Sequence, residues 1–82
     1  MEVRELEPGE YEVFAGEATH RVVIPAGVGL PGVGDEELAA AVVAELVERR
    51  RVGDRPIDVS AVLHDDPGLL LAVERRVLPD ES

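Results

Sequence analysis

Eighty-two residues, 45% of them apolar and only 2% aromatic, fit one domain with a single modest core built from Val, Leu and Ala. Eighteen carboxylates against eight cations give a formal charge of -10, which disfavours nucleic acid and anionic membrane and favours a partner with a basic surface. The chain has no cysteine, so disulfides, thiol catalysis and cysteine-ligated zinc are excluded.

The opening residues Met1-Glu2-Val3-Arg4-Glu5 combine neither a basic stretch nor an apolar run, and no later run approaches the length of a membrane span. A cytoplasmic chain is therefore expected. Residues 1–26 read as β-rich. In "EYEVFAGEATHRVVIP" two alternating runs flank Gly16-Glu17, a pair suited to a two-residue type II′ hairpin turn. Counting outward sets Ala15 opposite Ala18, Phe14 opposite Thr19, Val13 opposite His20, Glu12 opposite Arg21 and Tyr11 opposite Val22. Alternation then gives one face of Tyr11, Val13, Ala15, Ala18, His20, Val22 and Ile24, expected to face the core. The other face carries Glu10, Glu12, Phe14, Thr19, Arg21 and Val23. An earlier strand near Val3–Leu6 joins through Pro8-Gly9 to make a three-stranded meander.

Residues 27–34 form a glycine-rich connector. Asp35 suits a helix N-cap, Glu36 and Glu37 its first turn, and Leu38, Val42, Val43, Leu46 and Val47 form an apolar stripe. Arg49, Arg50 and Arg51 match the dipole at the far end, with the helix running to about Val52 before Gly53. "PIDVSAVLH" alternates like a strand at Ile57, Val59, Ala61 and Leu63, yet Asp58 can cap a short helix burying Val59, Val62 and Leu63. The helix is favoured. Asp66-Pro67 opens a last helix that reaches about Leu78 before Pro79, leaving a short polar tail, 79–82. The expectation is one α+β domain over residues 1–82, a small antiparallel hairpin or three-stranded meander followed by two or three helices packed on one face.

Few motifs rise to chemistry. "GVGLPG" matches G-x-G-x-x-G, but Pro25-Ala26 separates it from the preceding strand. The following helix opens on Asp35-Glu36-Glu37, whose carboxylates repel phosphate, and there is no lysine for a Walker motif. No cofactor is expected. His64-Asp65-Asp66 is the one place where histidine adjoins carboxylates, but three consecutive residues do not converge on one ion and Asp66 is needed as a cap. No metal and no catalytic set is expected. Around "ERRRVGDR", from Glu45 to Asp58, the four arginines are balanced by Glu45, Glu48, Asp54 and Asp58, and Glu45–Arg49 has i,i+4 spacing.

The function expected on these grounds is a non-enzymatic acidic interaction module docking on a more basic protein, as an inhibitor, an antitoxin- or immunity-like partner, or a small accessory subunit. Its candidate surface is Glu12, Phe14, Thr19, Arg21 and Val23, left outside if the helices cover the Tyr11 face. Association with a second copy is a further way for so small a domain to gain stability. The alternative is a dimeric DNA-binding regulator using Arg49, Arg50, Arg51, Arg55, Arg75 and Arg76.

Overall fold

The computed structural model describes residues 2–53 and 55–78. Three strands, β1 (Glu2–Glu7), β2 (Glu10–Ala15) and β3 (Ala18–Val23), form the meander. Helix α1 (Asp35–Glu48) follows, then a two-residue strand β4 (Ile57–Asp58), α2 (Val59–Asp65) and α3 (Pro67–Val77). The sheet order is β1-β2-β3-β4, antiparallel except that β4 runs parallel to β3. The expected α+β architecture is thus present, with one strand more than the sequence predicts. Pro79 and the polar tail lie outside the described residues, as does Asp54.

The hairpin register is the expected one, from Ala15 opposite Ala18 to Tyr11 opposite Val22. Tyr11, Val13, Val22 and Ile24 are buried, and α1 packs across β1 and β2 on that face. Ala18 and His20 depart from the expected core face: Ala18 is exposed and His20 half-buried. The reason is where α1 lies, over β1 and β2, leaving the turn end of β3 uncovered.

The connector is organised by two successive turns, Pro25–Val28 and Leu30–Val33. Each is closed by an N–H donating three residues back, Val28 to Pro25 and Val33 to Leu30, both at 3.1 Å. Gly27 (φ 85°) and Gly32 (φ 76°) take the third position, which defines type II turns, with Pro31 pre-setting the second position of the latter. Val28, Leu30 and Val33 pack against the core between the glycines.

Both ends of α1 differ from expectation. Gly34, in extended conformation, is the N-cap, so Asp35 is the first helical residue and contributes charge to the first turn rather than a capping hydrogen bond. At the other end the helix stops at Glu48, well short of Val52. Arg51 N–H donates to Leu46 O at 2.9 Å and Arg50 N–H to Val47 O at 3.1 Å, the paired bonds of a Schellman motif, with Arg50 left-handed at φ 55°. Arginine thus occupies the position that glycine usually takes. Arg50→Gly is expected to relieve that strain and stabilise the protein by about 0.5–1 kcal/mol, read as a rise in the urea midpoint at constant slope.

The ambiguous segment divides at Asp58. Ile57 and Asp58 pair with Val22 and Val23, and the chain then turns directly into α2, Asp58 accepting from Ala61 N–H at 3.3 Å as the cap. The core includes Ile57 and Val59 together with Leu38, Val42, Val43, Leu46, Leu69 and Val73, whereas Val47, expected in the same stripe, is 44% exposed near the end of α1. Asp66 caps α3 as expected, accepting from Leu69 N–H at 3.2 Å, and its other oxygen meets Arg51 at 2.7 Å.

Candidate functional site

Alternation and register build one continuous surface on the side of the sheet opposite the core. Phe14 pairs with Thr19, Glu12 with Arg21 and Glu10 with Val23. On the β1 side Glu2 pairs with Phe14 and Arg4 with Glu12. The candidate residues Glu12, Phe14, Thr19, Arg21 and Val23 therefore stand side by side on β2 and β3. Thr19 and Arg21 are exposed; Glu12, Phe14 and Val23 are half-buried and belong neither to the buried core nor to the hydrophobics packed against it. The register places Arg4, Glu12 and Arg21 in one row across three strands, cation, anion, cation. Among the described residues, the ion pairs involve none of these three.

The excess negative charge lies elsewhere. Glu5, Glu7, Asp35, Glu36 and Glu37 are all exposed, with Glu5 and Glu7 on β1 and the other three in the first turn of α1. Between Glu5 and Asp35 is the hydroxyl of buried Tyr11, 3.3 Å from Glu5 Oε2 and 3.4 Å from Asp35 Oδ2. A buried tyrosine needs a partner for its hydroxyl, and here that need ties β1, β2 and α1 together. Burial, then the charges of Asp35 and Glu5 and their hydrogen bonds, push the phenol from 10.0 up to about 12.

Tyr11 is the only tyrosine, so its tyrosinate absorbance reports this site alone. The folded protein is expected to titrate near 12 and the urea-unfolded chain near 10.0, with Glu5→Gln and Asp35→Asn each lowering the folded midpoint. The sign follows from the raised value. The site's contribution to stability is whole below pH 10.0 and is lost as pH rises through about 12. A folded midpoint at the unfolded value would remove the two-carboxylate arrangement.

Among the described residues, three arginines are held in ion pairs. Arg49 meets Glu45 at 2.6 Å, the expected i,i+4 contact, and Arg76 bridges Glu45 at 3.2 Å and Glu48 at 3.0 Å, fastening α3 to α1. Burial acts to raise the Glu45 pKa, but the hydrogen bonds and charges of Arg49 and Arg76 outweigh it and hold the carboxyl below its ordinary value. Arg51 is committed to Asp66. The His64-Asp65-Asp66 run does not converge either: His64 and Asp65 are exposed at the end of α2, while Asp66 is occupied as cap and ion-pair partner. Among the described residues no group of three or more His, Cys, Asp or Glu side chains is placed to hold a metal ion. Nor is any helix in them long and apolar enough to cross a membrane.

Sequence reasoning missed a cleft of about 480 Å³ beside β3, where His20 and Arg21 meet Arg55 and Pro56 across the sheet edge. The signal was faint, because it depends on a two-residue parallel strand that has no periodicity to read. No protein-family model, no curated protein and no solved structure matches this chain.

Proposed function

We propose that the protein is a non-enzymatic interaction module that docks on a more basic protein through the open face of its sheet, in the manner of an inhibitor, an antitoxin- or immunity-like partner, or a small accessory subunit. One observation carries this reading: the helices pack on the Tyr11 face, while Phe14 and Val23, with Glu12, Thr19 and Arg21 around them, are left outside the core. An apolar centre with a polar rim is the anatomy of a docking patch. The acidic groups at Glu5, Glu7 and Asp35–Glu37 supply long-range attraction rather than contact, so association slows as salt rises.

Phe14→Ser tests the face. With the fold unchanged by circular dichroism, affinity capture from the native host is expected to recover a basic protein with the wild-type chain and to lose it with the variant. A partner retained equally by both would remove the open face from the interaction. The DNA-binding alternative has less support, because Arg49, Arg51 and Arg76 are engaged in ion pairs within the fold. A gel shift with random duplex at low salt separates the two.

A further inference from the structure

Strand β4 covers only part of β3. Its two residues pair with Val22 and Val23, and the ladder begins there. Among the described residues, no strand pairs with the stretch from Ala18 to Arg21 on that side. In a register closed by a two-residue turn, Ala18, His20 and Val22 direct their backbone groups at β2, and Thr19 and Arg21 direct theirs outward. The parallel ladder uses the C=O of Arg21 and the N–H of Val23. That leaves the N–H and C=O of Thr19 and the N–H of Arg21 on an open edge beside the cleft. Among the described residues, no turn or loop backbone bond reaches them.

We propose that this edge is completed by a second copy of the chain, β3 against β3, antiparallel about Thr19. Thr19 then faces its own symmetry mate, Ala18 faces the partner's His20, and Glu17 faces the partner's Arg21. Charge selects this occupant. Arg21 and Arg55 line the cleft against the single carboxylate of Glu12, which faces Arg21 from the β2 side, so among the described residues the lining is net cationic and favours an acidic residue on the open side of Arg21. The dyad supplies one twice over, as Glu17. The acids of β1, Glu5 and Glu7, lie at the far edge of the sheet, so repulsion between two copies of charge -10 is weakest at this one.

Length selects it too. The last residue of the partner strand to pair is Glu17, opposite Arg21, and the chain turns back toward its own β2 at Gly16, level with Val22, where β4 begins. Strand β4 and the second copy therefore do not compete for β3. An antiparallel dyad is perpendicular to the sheet, so the helices of both copies share one side and the open faces merge on the other. This pairing stands apart from the docking proposed above: Thr19 and Arg21 belong to both, but Phe14→Ser alters the face and leaves the β3 edge intact, so it is expected to lose the docked protein and keep self-association.

The test is mass by light scattering and sedimentation from micromolar to millimolar concentration, expected to climb from 8.8 kDa to twice that value. Thr19→Pro removes the N–H at the dyad. Because that N–H points away from β2, the circular dichroism is unchanged while self-association weakens by roughly tenfold or more. Arg21→Glu sets like charges opposite each other twice and weakens association roughly tenfold, and adding Glu17→Arg restores it. A chain that remains at 8.8 kDa throughout overturns the proposal. So does a dimer indifferent to the charge reversal, which decides the matter alone if Thr19→Pro fails to fold.

Discussion

Gly9→Ala is expected to destabilise the protein by about 2–4 kcal/mol, a large fraction of what a domain of this size holds. Two penalties add. Gly9 sits at φ 85°, a left-handed conformation that costs an L-residue about 1–2 kcal/mol. A Cβ there would also lie 2.9 Å from the carbonyl oxygen of Ile24, and that neighbour is backbone, unable to swing aside. Retreat is costly because Ile24 N–H donates to Gly9 O at 2.7 Å, the bond that fastens the β1–β2 turn to the chain leaving β3. Gly32→Ala is the control: its φ of 76° carries the conformational cost, but no atom lies within 4 Å of the added carbon. Urea unfolding should show Gly9→Ala losing at least twice as much as Gly32→Ala. Equal losses would mean that the close approach to Ile24 is absent.

Glu45→Ala is the second large effect, expected to cost about 2 kcal/mol. Breaking a buried ion pair commonly costs about 3–5 kcal/mol, because it strands an uncompensated charge. Here the stranded partners are Arg49 and Arg76, whose side chains are 32% and 39% exposed and recover hydration, so the lower figure applies. Arg76→Ala leaves Glu45 buried with Arg49 alone, and a double-mutant cycle between positions 45 and 76 should return a coupling of about 1 kcal/mol across α1 and α3. The pair Arg51–Asp66, exposed at 52% and 30%, should return close to nothing in the same assay. The pH dependence has a definite sign. Because the Glu45 pKa is lowered by folding, its contribution is whole above 4.5 and is lost as pH falls through the lower folded-state value. Glu45→Gln should flatten that acid limb of the stability curve.

Local chemistry was legible in the sequence; distant pairing was not. Gly16-Glu17 with its flanking alternation specified the register of β2 and β3, and hence that Phe14 and Tyr11 lie on opposite faces. Asp66-Pro67 marked the start of α3, and Asp58 marked α2. The end of α1 was misplaced because Gly53 offered a familiar stop, whereas the helix ends on an arginine held left-handed by two backbone bonds. Strand β4 escaped because two residues show no periodicity; its identity comes from lying beside β3, 34 positions from Val23 to Ile57 notwithstanding the short pairing. The hydroxyl of Tyr11 and the contact of Arg76 with Glu45 join residues far apart in the chain, and only the packing of α1 against the sheet and α3 brings them together. The candidate surface, by contrast, was legible as soon as the alternation was, since one residue's face fixes its neighbours'.

The parallel pairing of β4 also bears on how the chain folds and opens. Strands β1 to β3 are joined by tight turns and close upon themselves locally, while β4 can dock only after the whole segment between Val23 and Ile57 has been laid down. The last contact made is also the least extensive, a two-residue ladder leading straight into a seven-residue helix. Amides from Ile57 into α2 will therefore exchange with solvent through partial openings that leave the meander's amides protected. In each such opening Val22 and Val23 lose their only neighbour on that side, and the bare edge of β3 lengthens to its full span.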